Sequence, residues 1–292
     1  LPPWPTSDSR EAELLSEVLK SSQWGGFHPL VASFEDAFAA YQDSRFGVSA
    51  VNGTVTLEMM LACAGIGPGD EVIVPAISFV STASAGTRVG AVPVFVDIEP
   101  YSFNMCPVAA RRAVTPKTKA ILTVHFGGSM ADVDVLAGIC AEHGLLLMED
   151  AAHAHGSEWN GKKAGSFGLA SSFSFQNGKV MTAGEGGMVI TGDEELAARM
   201  RSYANQGRRP GYTFFHHFEP GNNFRLSALH AAVLTAQLER LDAQIELRTR
   251  NQKIFASELE GVEAIRWQEV PAAVNRNSWY LVLGRVAGGK RD

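Results

Sequence analysis

Cysteine is scarce in this chain: three residues among 292, Cys63, Cys106 and Cys140, scattered in apolar contexts without a CxxC pair. That spacing excludes a disulfide framework and a zinc knuckle, and it points to a reducing compartment. Long apolar runs are missing as well. No stretch approaches the roughly 18 apolar residues of a membrane span, and the opening LPPWPTSDSR has no signal-peptide core. The expectation is a cytoplasmic protein with no membrane partner, and the missing initiator methionine suggests a trimmed or partial product. Positive charge is not in excess either. A net charge of −6 and a pI near 5.8 argue against nucleic acid as the partner, while a local phosphate site remains open.

What the chain does have is apolar content, 46 % of residues, enough for a large core and about two domains. Asp8 and Glu11 have the spacing of a capping box, and Leu14, Leu15, Val18 and Leu19 follow at helical spacing, so a helix is expected over 9–20. A second helix over 31–41 places Phe34, Phe38 and Tyr41 on one side. Alternation then sets in: strand 46–51, helix 54–64, strand 71–75, helix 79–89, strand 92–97, helix 107–114, strand 120–126, helix 133–143, strand 145–149. Strands such as AILTVHF and LLLM are apolar on both faces, the mark of a mostly parallel sheet covered by helices. Function then belongs at the carboxyl ends of the strands.

Three such ends carry chemistry. At Asn52-Gly53-Thr54 a strand gives way to a helix, leaving unpaired N–H groups and a hydroxyl at a positive helix end, a natural phosphate cradle. Asp150 leaves a buried strand, where a carboxylate is costly without a cationic partner. His153 and His155 follow it, as hydrogen-bonded structural groups or as metal ligands, though no third ligand stands at a usual spacing. In segment 172–187, SFSFQNGKVMTAGEGG opens with Ser172 and Ser174 on one face and Phe173 and Phe175 on the other, the rings inward. Its turn presents Lys179 five residues after Ser174; a lysine in a dry pocket keeps its amine form, as imine chemistry requires. Gly65, Gly67 and Gly69 follow a helix and precede a strand, the reverse of a dinucleotide fingerprint, and read as a turn.

Beyond this segment come a helix over 194–206 stopped by Gly207, and then a long loop, GRRPGYTFFHHFEPGNNFRL, too long and aromatic to be filler. Such an apolar patch marks a partner surface. Ser227 caps a long helix, bent, reaching about residue 259. NSWYLVLGRV, 277–286, has a strand pattern, and GGKRD closes the chain. The expected domains are residues 1–245, a large domain with an N-terminal helical segment, and 246–292, the start of a smaller and incomplete C-terminal domain.

Taken in order, NGT at 52–54, SFVST at 78–82, EDAAHAHG at 149–156, SFSFQNGK at 172–179, GEGG at 184–187 and GNNFRL at 221–226 resemble the DegT/DnrJ/StrS family of pyridoxal-phosphate-dependent sugar and aminocyclitol aminotransferases. The resemblance runs from about residue 10 to 260. It implies the α/β fold of aspartate aminotransferase, fold type I: a large, mostly parallel mixed sheet with helices on both faces, plus a smaller C-terminal domain, apparently truncated here. By the same resemblance Lys179 would hold pyridoxal 5'-phosphate through its amine and then carry the proton at the substrate carbon. Asp150 would pair with the ring nitrogen, which agrees with the need for a negative charge beside an electron sink. His153, where many relatives have Gln, would touch the ring hydroxyl, and Phe79 would stack on the ring. Gly53, Thr54 and Ser174 would hold the phosphate, joined by Asn223 from the second subunit of a homodimer. No metal is implied.

The reaction implied is transfer of an amino group from L-glutamine or L-glutamate to a keto group of a sugar nucleotide or cyclitol. SFQNGKVMTAGEGG and EDAAHAHG look most like the branch containing 3-amino-5-hydroxybenzoate synthase, which leaves an aromatising dehydratase as an alternative. Related sugar dehydratases carry His at the lysine position, and Lys179 speaks against that reaction. A catalytically idle regulatory homologue is the remaining rival.

Overall fold

A computed structural model of the chain describes residues 4–286; the closing GGKRD, 288–292, lies outside them. Two helices come first, α1 (Ser9–Ser21) and α2 (Pro29–Tyr41). The Asp8 and Glu11 side chains form the expected reciprocal capping box at the start of α1, and Phe34 and Phe38 of α2 are buried. The alternating body follows: β1 (Phe46–Ala50), α3 (Gly53–Cys63), β2 (Glu71–Pro75), α4 (Val80–Arg88), β3 (Val92–Val96), α5 (Pro107–Arg112), β4 (Thr118–Val124), α6 (Val133–His143) and β5 (Leu146–Asp150). A small hairpin, β6 (Glu158–Trp159) and β7 (Lys162–Lys163), leads to β8 (Ala170–Ser174), β9 (Gly187–Thr191) and α7 (Glu194–Ala204). The chain then forms α8 (Ala228–Glu239), α9 (Leu241–Glu258), β10 (Ile265–Trp267), β11 (Val274–Arg276) and β12 (Gly284–Val286).

The main sheet has seven strands in the order β1-β9-β8-β5-β4-β2-β3. All pairings from β3 to β8 are parallel, and β9 alone runs against its neighbours. Alternate residues face opposite layers. Val72, Val74, Leu122, Met148 and Val189 meet the cluster of α3, α4 and α7, whereas Ile73, Ile121 and Leu147 meet α5 and α6, and Met188 and Ile190 meet α1, α2 and α8. The sheet is therefore covered on both faces, and this alternation is why its strands read as continuous apolar runs. The fold is the expected α/β type, a large, mostly parallel mixed sheet with helices on both faces, with the ends of β1, β2, β4, β5 and β8 converging on one side.

The long helix expected after Ser227 is divided at Arg240 into α8 and α9, and residue 245 lies inside α9. The strand expected over 277–286 is corrected: only Gly284–Val286 pairs as a strand, with β10. Trp279 has a positive φ of 50°, which breaks a ladder, and the preceding residues bond to loops instead. Ser278 Oγ donates to the His153 carbonyl at 2.7 Å and Leu281 N to the Gly127 carbonyl at 3.1 Å. β11 pairs with β6, so the stretch after α9 returns to the strand ends. No helix among the described residues is long and apolar enough to cross a membrane.

Candidate active site

The end of β1 builds the first wall. Asn52 caps α3 by accepting from Val55 N at 3.0 Å, which leaves the Gly53 and Thr54 N–H groups without intrahelical partners at the positive helix end. Ser174, at the end of β8, closes on that helix end. A Cβ placed on Gly53 would stand 2.7 Å from the Ser174 Cβ, so only glycine lets the hydroxyl and the helix terminus share one anion. Thr54 Oγ1 is 2.7 Å from Ser81 Oγ of α4. As the sequence suggested, Phe173 and Phe175 take the opposite face, packing edge-on against Phe38 at 5.1 and 5.2 Å. Ser172 instead lies 2.7 Å from Thr56 of α3.

Asp150 ends β5 and is 5 % exposed. Its Oδ2 accepts from Thr82 Oγ1 at 2.6 Å and its Oδ1 from Ala152 N at 3.2 Å. Because Thr82 gives its proton to the carboxylate, Ser78 Oγ, 2.5 Å away, must donate to Thr82. A relay of two hydroxyls thus runs from the cleft wall to Asp150. No cationic side chain pairs with it among the described residues. Burial pushes its pKa up, with the Thr82 hydrogen bond and the charge of Lys179 opposing. The cationic partner expected from the sequence is not found as a direct ion pair among the described residues.

Lys179 stands on the turn after β8, its N–H bonded to the Gln176 carbonyl at 2.9 Å. Its Nζ lies 4.6 Å from the Tyr280 ring centroid. Burial pulls the amine below the usual lysine range, while the charge of Asp150 works the other way. His153 is sandwiched by rings, 4.3 Å from Tyr280 and 5.6 Å from Phe126. Its Nδ1 accepts from Gly127 N at 3.3 Å, which puts the ring proton on Nε2. Burial, and then the charge of Lys179, hold its pKa down at about 3, so the ring is neutral. His155 is wholly enclosed by Phe38, Phe173 and Phe175. Among the described residues neither of its ring nitrogens has a hydrogen-bond partner, and its pKa is likewise held down at about 3 by burial and then by the charge of Lys179. Among the described residues no group of three His, Cys, Asp or Glu converges on a metal position.

Gly53, Thr54, Phe79, Asp150, His153, Ser174 and Lys179 line one cleft of about 540 Å³. Phe79, 67 % exposed, is free to cover a flat ring. Asn223 is the candidate that the fold does not bring here: it is exposed and paired with Asn205 through a backbone bridge. Residues that sequence reasoning did not assign are Thr82 and Ser78, inside the SFVST motif, and Tyr280 and Leu281, which come from the C-terminal stretch. The hydroxyl spacing of SFVST, one helical turn, was a usable signal; nothing local marks Tyr280. A helix terminus with a facing hydroxyl suits a phosphate, and a buried carboxylate without a cation suits a protonated ring nitrogen. An amine-form lysine suits carbonyl chemistry. The residues present fit pyridoxal phosphate.

Fold and site together define an enzyme that transfers nitrogenous groups. Residues 5–292 match the model of the DegT/DnrJ/EryC1/StrS aminotransferase family, and the chain belongs to that family, whose members are pyridoxal-phosphate enzymes. It is 42 % identical over 293 residues to 3-amino-5-hydroxybenzoate synthase of Amycolatopsis mediterranei, covering 98 % of this chain and 75 % of the relative. A solved structure of a 3-amino-5-hydroxybenzoic acid synthase superposes with a TM-score of 0.95 at 41 % identity, over 98 % of this chain and 76 % of that one. GDP-perosamine synthase of Caulobacter vibrioides is 39 % identical over 84 % of this chain and 66 % of its own length. L-glutamine:2-deoxy-scyllo-inosose aminotransferase of Streptoalloteichus tenebrarius is 38 % identical over 98 % of this chain and 70 % of its own.

Proposed function

We propose that this chain is a pyridoxal-phosphate-dependent aminotransferase that takes its amino group from L-glutamine or L-glutamate and gives it to a keto group of a sugar nucleotide or cyclitol. The observation that carries the reading is the pairing, in one cleft, of an uncompensated buried carboxylate, Asp150, with a lysine held toward its amine form, Lys179. When bound, the cofactor supplies an electron sink for charge developing on the substrate carbon. The chain's part is positional. Gly53, Thr54 and Ser174 would hold the phosphate, and Asp150, hydrogen-bonded by the Thr82 hydroxyl, would stand against the ring nitrogen and favour its protonated form. The neutral His153 offers its Nε2 proton to the ring oxygen. Lys179 would hold the cofactor through its amine and would carry the proton at the substrate carbon. Phe79 covers the outer ring face.

The names of the relatives support an amino donor such as glutamine and polyhydroxylated keto acceptors. Asn223, turned away from the cleft of its own chain, suits the reading that two chains form a homodimer in which each Asn223 completes the other's phosphate site. We place the protein in the cytoplasm and assign residues from about 246 onward to a second, smaller domain. The identity with 3-amino-5-hydroxybenzoate synthase favours a second reading, an aromatising dehydration on the same cofactor. The test is spectroscopic. The protein loaded with pyridoxal phosphate is mixed with L-glutamine without acceptor, and its long-wavelength cofactor absorbance is followed. Bleaching that returns on adding a keto-cyclitol or keto-sugar nucleotide supports amino transfer, and a new aromatic product from a carboxylated ring substrate supports the second reading. No cofactor absorbance, or none that responds to an amino donor, would overturn both.

A further inference from the structure

Directly behind the cleft, Glu149 and His125 form a wholly buried pair that takes no part in the chemistry proposed above. Glu149 precedes Asp150 on β5, and its carboxylate accepts four hydrogen bonds. Oε1 takes the amides of Phe167 and Gly168 at 2.9 Å each, and Oε2 takes the Gly165 amide at 2.8 Å and the His125 Nε2 at 2.9 Å. Four donors fill the acceptor capacity of a carboxylate. His125, which directly follows β4, accepts at Nδ1 from Ala131 N at 3.2 Å, and this leaves its proton on Nε2, the nitrogen that faces Glu149. The ring is fixed at both nitrogens, and it fixes the turn it belongs to, residues 125–131. That turn reaches the site at several points. His125 N donates to the Asp150 carbonyl at 3.2 Å, and Gly127 N to His153 Nδ1 at 3.3 Å. The Gly127 carbonyl accepts from Leu281 N at 3.1 Å, so the return that carries Tyr280 hangs from the same turn. Phe126 lines the cleft and lies 5.6 Å from the His153 ring.

Gly127 and Gly128 have φ values of 74° and 104°, a region open chiefly to glycine, and a glycine pair has little stiffness of its own. The order of this turn must therefore come from side chains outside the pair, and a fully satisfied buried network supplies it. The bond made at one ring nitrogen of a histidine decides which nitrogen carries the proton. We propose that His125 is a positioning residue: held between Glu149 and the Ala131 amide, it sets the turn whose Gly127 N–H occupies His153 Nδ1, and it thereby keeps the His153 proton on Nε2. That this proton serves a cofactor oxygen rests on the function proposed above; that His125 sets it does not.

The test is nitrogen NMR of the full chain carrying isotope-labelled histidine, without cofactor, in which ring nitrogen shifts report the tautomer of each histidine; His153→Asn assigns the His153 signals. In the parent, His125 and His153 should each show a bare Nδ1 and a protonated Nε2. His125→Phe keeps a flat ring and removes both bonds, and a second His153 tautomer should then reach about a tenth of the population or more. His125→Gln, whose amide still donates to Glu149, should stay nearer the parent. Ile139→Val, a core change in the layer of α5 and α6, should leave the tautomer as it is, so that lost stability alone does not produce the signal. A folded His125→Phe chain in which His153 keeps one tautomer would overturn the proposal. Should the substituted chains not fold, the parent spectrum decides: a proton on His125 Nδ1, or mixed tautomers at His153, overturns it, and the expected pair of tautomers supports it. Loading with pyridoxal phosphate separates this from the function proposed. The long-wavelength absorbance of His125→Phe should shift in the same direction as that of His153→Asn. A changed tautomer with an unshifted absorbance in both variants would support the role of His125 and count against the contact of His153 with the cofactor.

Discussion

Thr82→Val removes one oxygen and nearly nothing else, and it isolates the hydroxyl relay. Thr82 is 2 % exposed, valine has its shape, and the only side-chain bonds lost are the 2.6 Å donation to Asp150 Oδ2 and the 2.5 Å contact with Ser78. A hydrogen bond to a buried charged group contributes about 1.5–3 kcal/mol. Its loss removes a contribution that holds the Asp150 pKa down, so the pKa rises further. Burial already pushes that pKa up, so the variant carries a carboxyl that protonates closer to neutral pH and holds the ring nitrogen less well. The rate of the donor half-reaction should fall about tenfold to a hundredfold at pH 7. The acid limb of its pH profile should move to higher pH, and the rate should recover as pH rises. Stopped-flow absorbance with L-glutamine from pH 6 to 9 reads both. Thr82→Ser, which keeps the hydroxyl, should stay near the parent. A Thr82→Val profile that overlays the parent would show that the relay does not set the charge on Asp150.

Asp150→Asn should retain cofactor but lose most of the half-reaction at every pH, since a neutral amide cannot hold the ring nitrogen protonated; parent-like turnover would refute the role. Mixing inactive Lys179→Ala with inactive Asn223→Asp subunits should restore one full site per mixed dimer, the intact Lys179 receiving its Asn223 from the other chain. A dead mixture in which native mass spectrometry finds mixed dimers would mean that each chain supplies its own Asn223. His155, with a folded pKa near 3 against an ordinary 6.5, favours the fold in its neutral form, so its contribution is present above about pH 6.5 and is lost as pH falls toward 3. The slope is about 1.4 kcal/mol per pH unit for each such histidine. His155→Leu, which replaces an unpartnered ring in a phenylalanine cage, should flatten the pH dependence of urea unfolding between pH 6.5 and 5; an unchanged slope would place the titration elsewhere.

The strand and helix alternation was legible because each segment is regular and its burial two-sided: Ile121 and Leu122 serve opposite layers and so read as one apolar run. The same regularity exposed the strand ends, and with them Gly53, Asp150, Ser174 and Lys179, because each sits where an apolar pattern stops at a residue poorly suited to the interior. Tyr280 was hidden for the opposite reason. It reaches the cleft only because Trp279 turns the chain and Ser278 ties it to the His153 carbonyl, contacts separated from their partners by more than a hundred residues. The strand pattern of 277–286 was misleading because alternation records which residues are apolar and says nothing of where backbone hydrogen bonds go. Asp150 was expected to meet a cationic partner, because a carboxylate at the end of a buried strand is costly alone. That no cationic side chain among the described residues pairs with it could be seen only in three dimensions, and it is the feature that most directly asks for a ligand.

The central claim is that Lys179 carries the cofactor. Borohydride reduction of the protein loaded with pyridoxal phosphate, followed by proteolysis and mass spectrometry, fixes the added pyridoxyl mass to one residue. The account expects it on the peptide containing Lys179, in a stoichiometry of one per chain. A label confined to Lys162, Lys163 or any other peptide would contradict it.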